Sequence, residues 1–139
     1  MVRRAVRGVF VVHGIVTLAA AVVLAVLPAA IPATVGIVIE SDTYLLSYFL
    51  AAAELGIGAL SLAAARLHDA EAVRLIALCF AVFHGATAIL EIVYVLTEGV
   101  SAVLVANVVV RVIVTVVFLL IARSRRSHPR VANTQSMSI

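Results

Sequence analysis

Hydrophobic residues are concentrated in four long runs, and most of the charged residues lie between the runs or at the two ends of the chain. A helix needs about 20 mainly apolar residues to cross the hydrocarbon core of a bilayer, and each run is long enough. The pattern predicts an all-α fold, a four-transmembrane-helix bundle with spans at about residues 5–27, 43–67, 72–96 and 100–122. We expect residues 1–122 to form a single domain and residues 123–139 a basic, disordered tail.

The connections between the runs are short, which predicts an up-down-up-down order of helices. Pro28 and Pro32 end the first span. The apolar segment that follows, residues 28–40, is too short to cross, so we expect it to lie at the membrane interface. The polar turn at residues 66–71 predicts that the second and third spans form a tight antiparallel hairpin.

Composition supports this interpretation. Of the 139 residues, 65% are hydrophobic and 12% are charged, and the mean hydropathy is +1.24. A water-soluble domain of this size has more surface than so few charges cover. We therefore expect the lipid bilayer to surround the protein, with a protein partner or a second copy of the chain as a further expectation.

The ten basic residues are all arginines, and their distribution predicts the orientation of the chain. Cytoplasmic segments of membrane proteins are enriched in basic residues. Nine arginines lie at the chain ends or around the central turn, whereas the other two connections carry Glu40, Asp42 and Glu98 and no base. We expect both termini on the cytoplasmic side of a bacterial plasma (inner) membrane. Because orientation explains the net charge of +3, nucleic acid is not predicted as a partner.

Six polar residues inside the predicted spans are the candidate site residues, because a charge at membrane depth is costly without a partner. They are His13, Glu54, His84, Glu91, Asn107 and Arg111. Counting from the span ends places Glu54, His84 and Arg111 near the midplane, and it places His13 about one helical turn nearer the cytoplasm. By the same count, Glu91 and Asn107 lie toward the outside.

Helical spacing puts His84 and Glu91 on one stripe of the third span, and Asn107 and Arg111 on one stripe of the fourth. We expect both stripes to face the bundle interior and Arg111 to pair with Glu54, Glu91 or both. With two carboxylates around one guanidinium, a protonated His84 or a neutral carboxyl group would balance the charge. The cluster then either fixes the packing register, binds a ligand or handles protons, or holds a metal or haem through its histidines.

No sequence motif indicates catalysis or a metal site. Cys79 is the only cysteine and lies in an apolar run, so we expect it to be buried. Motifs for haem attachment, phosphate binding and zinc proteases are absent from the sequence. We therefore assign no catalytic residue and no metal ligand. The sequence leaves the cofactor open and favours a protein without enzymatic activity over an enzyme.

Small residues recur at four-residue spacing, which favours close helix contacts inside the bundle over a dimer face. The three pairs are Ala52 with Gly56, Ala59 with Ala63, and Ala81 with Gly85.

The segment AELGIGAL at residues 53–60, followed by Arg66 and Ala70, resembles the second span of DoxX-like small four-helix membrane proteins. In that family a Glu precedes a Gly-rich helix that ends in an Arg-containing cytoplasmic turn. The family's first span is similar to the region that contains Arg4 or Arg7, Gly8 and Gly14. Many related bacterial families of this shape have no assigned function, and some DoxX-like members are similar to membrane subunits of quinone-linked sulfur oxidation or oxidant-defence complexes. The resemblance implies a small bacterial four-helix membrane protein.

Three functions are open from the sequence. The first is an accessory or structural membrane subunit with a buried polar cluster. The second is a small ligand-binding protein or proton-coupled transporter that acts through Glu54 or Glu91. The third is a quinone-linked or haem-linked redox protein that uses His84 and Arg111.

Overall fold

The computed structural model describes residues 2–124, and its regular structure there is entirely helical. Five α-helices, named α1 to α5, and one short 3-10 helix follow one another along the chain. Their bounds are α1 Val2–Val26, α2 Ala30–Thr34, the 3-10 helix Ser41–Thr43, α3 Tyr44–Ala64, α4 Ala70–Glu98 and α5 Ala102–Ser124.

Four of these helices, α1, α3, α4 and α5, are long and apolar enough to cross a membrane. This confirms the all-helical fold with four spans, and each helix end lies within three residues of the prediction. The segment expected at the interface contains the short helix α2 and the non-helical residues 35–40. Residues 125–139, most of the predicted basic tail, lie outside the described residues.

The outer surface of the long helices is apolar. Large aliphatic side chains such as Leu46, Leu90 and Val16 are 70%, 68% and 63% exposed. Lipid tails solvate such a surface, whereas water does not. Cys79 lies on this surface, so the expectation that it is buried is wrong. The reason is that lipid accommodates an apolar thiol, and composition alone does not force it inward.

Specific polar contacts and one glycine define the ends of the long helices. Asp69 caps α4, because its carboxylate accepts backbone N–H bonds of 3.1 and 3.3 Å from the second and third residues after it. Gly99 ends α4 with a φ of 127°, a conformation that favours glycine. Beyond α1, the hydroxyl of Ser47 donates to the carbonyl oxygen of Pro28 at 2.9 Å, which satisfies a polar group freed by the proline break.

The long helices make their close contacts in two pairs, α1 with α3 and α4 with α5. In the first pair, a Cβ added to Gly14 would lie 2.8 Å from Leu62, and one added to Gly58 would lie 2.7 Å from Leu18. Glycine therefore permits this approach. Within residues 2–124, α3 and α4 do not form a close pair although a short turn joins them, so the predicted tight hairpin is wrong. Instead, α3 packs against α1, because the two glycines allow these helices to approach closely.

The predicted role of the small-residue pairs is wrong on α3 and confirmed on α4. Four small residues of α3 are exposed, namely Ala52, Gly56, Ala59 and Ala63. A Cβ added to Gly56 would meet nothing within 4 Å, because this stripe lies away from the face that packs on α1. On α4, Ala81 is buried, and a Cβ on Gly85 would lie 3.5 Å from Thr115 of α5.

A cluster of aromatic rings lies where the two helix pairs meet. Phe10 from α1, Phe80 from α4 and Phe118 from α5 are almost fully buried, with ring centroids 5.2 to 6.1 Å apart. The ring of His13 lies 4.9 Å from Phe80 and 5.0 Å from Phe118, and His84 stacks on Phe118 at 6.4 Å. The aromatic cluster thus fixes the positions of both histidines.

Candidate functional site

Glu91 of α4 binds two polar side chains of α5. Its Oε1 accepts a 2.9 Å bond from Arg111 Nε and a 2.8 Å bond from Asn107 Nδ2. The side chains of Arg111 and Glu91 are 19% and 17% exposed. Asn107 and Arg111 are one helical turn apart, which brings both to the same carboxylate oxygen. Glu91 is therefore confirmed as a partner of Arg111.

A chain of polar contacts continues from Arg111 through both histidines to α3. Arg111 Nη1 lies 3.5 Å from His84 Nδ1, and His84 Nε2 lies 2.8 Å from His13 Nε2. His13 Nδ1 lies 2.9 Å from Ser61 Oγ, and this hydroxyl donates to the carbonyl oxygen of Phe10 at 2.8 Å. Each of the four long helices contributes one side chain, so the chain joins the two helix pairs. We call these four side chains the histidine chain.

When both imidazoles are neutral, the contacts at the two ends of the histidine chain lead to one consistent assignment of the protonated nitrogen in each ring. Arg111 can only donate, so His84 Nδ1 accepts and the proton is on His84 Nε2. The hydroxyl of Ser61 donates its one proton to the carbonyl oxygen of Phe10. Its oxygen therefore accepts a hydrogen bond from His13, and the proton of His13 is on Nδ1. His84 Nε2–H then donates to His13 Nε2. Every contact has one donor and one acceptor.

His13 and His84 are expected about a helical turn apart in depth, and their Nε2 atoms are nevertheless in contact. Position along each span does not decide such a contact, because an imidazole ring extends well away from its backbone. Sequence reasoning also missed Ser61, which is fully buried. The available signal is its spacing, since Ser61 follows Glu54 by seven residues on the same stripe of α3.

The two histidines do not fit a haem or metal ion held between their Nε2 atoms. Metal–nitrogen bonds of about 2 Å on opposite sides of an ion need nitrogens about 4 Å apart. The two Nε2 atoms lie 2.8 Å apart and bond to each other. Within residues 2–124, no group of three or more His, Cys, Asp or Glu residues could hold a metal ion.

Glu54 stands apart from these interactions. Its side chain is half-buried on α3, and it makes no hydrogen bond or ion pair with any residue in the described range. Of the two carboxylates considered as partners of Arg111, Glu91 binds the guanidinium and Glu54 does not. Glu54 and Arg111 instead face the same open space.

That space is a groove of about 670 Å³ between α1 and α5. Its apolar lining consists largely of valines, Val9, Val12, Val16, Val110, Val114 and Val117. Its polar lining consists of His13, Thr17, Glu54, His84, Asn107 and Arg111. The groove therefore gathers five of the six candidate residues, and Glu91 lies behind it, bonded to two of them. Small-molecule sites have volumes of about 300–1,000 Å³ and this kind of mixed lining.

The mouth of the groove opens sideways. Val12 and Val16 on α1 and Val110 and Ile113 on α5 line it and are 56% to 63% exposed. These residues lie near the middle of two helices long enough to cross a membrane. A molecule dissolved in the bilayer therefore has a direct path to the polar groups.

Comparisons with known protein families, with curated proteins and with solved structures find no match for this chain.

Proposed function

We propose that this chain is a small multi-pass membrane protein that binds a lipophilic molecule between α1 and α5, with the polar part of the ligand near Glu54 and Arg111. The proposal includes an up-down-up-down helix order and both termini on the cytoplasmic side of a bacterial plasma membrane, which the arginine distribution supports. It also includes a distant relation to DoxX-like proteins, supported by segment 53–60, whose Glu54 lines the groove.

The groove is the observation that carries the proposal. Its volume of about 670 Å³ is large enough for a small molecule, and it brings several polar side chains together with an apolar lining. A purely structural cluster needs no such space. The combination of valine walls and a polar floor complements a molecule with an apolar body and a polar group. A quinone is one molecule of this kind, whereas a haem between His13 and His84 is not accommodated.

An accessory or structural subunit is the second candidate function. The histidine chain favours it, because a buried polar chain through all four helices can fix their register without any ligand. The two functions differ in whether a small molecule enters the groove.

Probes of matched shape test this difference in the purified protein reconstituted in nanodiscs. We would measure binding of tetraphenylphosphonium, tetraphenylborate and neutral tetraphenylmethane. Ligand binding predicts that at least one probe binds saturably, and that Val16→Trp, which fills the mouth, weakens it roughly tenfold or more. Val22→Trp is the matched control, since Val22 is 60% exposed on the same helix and does not line the groove. If no probe saturates, or if both tryptophan variants bind like the wild type, the accessory function is favoured instead.

A further inference from the structure

Most polar groups at the groove already have partners. Arg111 bonds to Glu91 through Nε and approaches His84 through Nη1, and Asn107 also donates to Glu91. Both nitrogens of each histidine take part in the histidine chain. In the described part of the chain, the carboxylate of Glu54 and the hydroxyl of Thr17 are the groove-lining groups that make no hydrogen bond.

The charges at the groove then leave one negative group in excess. Glu91 and Arg111 neutralise each other at 2.9 Å. Arg111 can only donate, so His84 Nδ1 accepts and His84 on α4 carries a single proton, on Nε2. That proton is donated to His13 Nε2, so His13 on α1 is neutral as well. Glu54 on α3 is therefore an unpaired carboxylate when it is ionised, in a space walled by valines. An ionised group in such surroundings is costly unless it gains a counter-charge or a proton.

We propose that the groove binds a lipophilic organic cation, whose positive group pairs with the carboxylate of Glu54. This deepens the proposed function and rests on it. An anionic head would add a second negative charge to that of Glu91, and Arg111, already bonded to Glu91, is the one positive side chain among the groove-lining residues described. A cationic head balances Glu54 one to one. The apolar body of the ligand then lies against the valine walls, which removes apolar surface from water.

In the absence of the cation, a proton occupies the same carboxyl group. Binding is then an exchange in which the cation and protonated Glu54 give the complex with ionised Glu54 and one released proton. Charge is conserved at the site, so the membrane-embedded carboxylate is never left unpaired. The other titratable groups facing the groove are His13 and His84, and the exchange does not require either to change its charge.

The three tetraphenyl probes also test this proposal, because they share a shape and differ in charge. We expect tetraphenylphosphonium to bind at least about tenfold more tightly than tetraphenylborate. Its affinity should rise with pH by up to about tenfold per unit, because one proton leaves for each cation bound. Calorimetry in two buffers of different ionisation enthalpy measures that proton directly.

Three variants of acidic residues assign the effect to Glu54. Glu54→Gln keeps the shape and removes the charge, and it should weaken phosphonium binding at least about tenfold and abolish its pH dependence. Glu54→Asp should retain both. Glu98→Gln, an exposed position outside the groove, is the matched control and should bind like the wild type. Size-exclusion profiles and helicity identify any variant that has failed to fold. If Glu54→Gln fails to fold, Glu54→Ala, which also removes the charge, takes its place with the same expected loss.

The outcomes separate this proposal from the one on which it rests. If tetraphenylborate or tetraphenylmethane binds best and Val16→Trp blocks it, the groove is a ligand site and the cation proposal is overturned. Phosphonium binding that Glu54→Gln leaves unchanged also overturns it. If no probe binds saturably, the proposed function itself fails.

Discussion

His13 Nε2 lies 2.8 Å from His84 Nε2, and this contact links the α1–α3 pair to the α4–α5 pair. Arg111 at one end of the histidine chain and Ser61 at the other determine which nitrogen of each ring carries the proton. We expect ¹⁵N NMR of histidine-labelled protein at neutral pH to show the Nδ1–H tautomer for His13 and the Nε2–H tautomer for His84. Finding the same tautomer at both rings would contradict the assigned direction.

Replacing Ser61 by alanine should destabilise the protein. The change removes the acceptor of His13 Nδ1–H and leaves a buried donor without a partner, which costs about 1–3 kcal/mol. We expect a lower midpoint of thermal unfolding in mild detergent and exchange between His13 tautomers. Ser124→Ala is the control, because Ser124 is exposed at the end of α5 and its loss should cost less than about 0.5 kcal/mol. Equal midpoints for the two variants would argue against a structural role for the chain.

The ion pair between Glu91 and Arg111 should show strong coupling. Arg111→Gln leaves the Glu91 carboxylate with Asn107 as its remaining partner, and breaking one side of a buried pair costs about 3–5 kcal/mol. The double variant with Glu91→Gln should recover much of that loss. The exposed pair Arg74–Glu71, at 2.8 Å, is the control, and its coupling should stay below about 1 kcal/mol. A double-mutant cycle on each pair measures both energies, and equal couplings would refute the distinction.

Two glycines of α3 should respond oppositely to alanine. In Gly58→Ala the new Cβ would lie 2.7 Å from Leu18, so α1 and α3 must separate, at a cost of about 1–3 kcal/mol. Gly56→Ala places its Cβ in open space and should raise stability by up to about 1 kcal/mol through helix propensity. Thermal unfolding of the two variants checks the signs. Destabilisation by both would show that Gly56 also packs against something.

Cysteine labelling tests the proposed orientation. After Cys79→Ala removes the native thiol, His68→Cys places one thiol in the loop before α4, and Thr97→Cys places one in the exposed last turn of α4. The arginine distribution predicts that an impermeant maleimide added to intact cells labels the thiol at position 97 and not the one at position 68. The reverse pattern would invert the topology.

The fold and the site were predictable where the information is local. The four runs gave the spans, and the one-turn spacing of Asn107 and Arg111 gave their common face, because helix geometry fixes both. The contact of His13 with His84 depends on which helices pair and how each is rotated. The pairing of α1 with α3 depends on the close approach at Gly14 and Gly58, and a hydropathy pattern does not predict such an approach.

Ser61 and Glu54 illustrate the remaining limits of the sequence. A serine in an apolar helix carries no sequence signal of a specific role. Ser61 gains its role from a hydrogen bond with His13, which lies on another helix. Glu54 was expected near Arg111, and both do line the groove. Arg111 pairs with Glu91 and not with Glu54, and spacing along single helices does not decide between these two partners.

The sideways mouth between Val12, Val16, Val110 and Ile113 also determines which concentration governs occupancy. A molecule that enters from the lipid arrives at its mole fraction in the bilayer, so partitioning multiplies its affinity for the groove. Apparent dissociation constants expressed per volume of water will then fall as a ligand becomes more lipophilic, even with unchanged contacts. Adding empty vesicles at fixed total ligand will lower occupancy by dilution, and rankings of ligands for this protein should be made per mole of lipid.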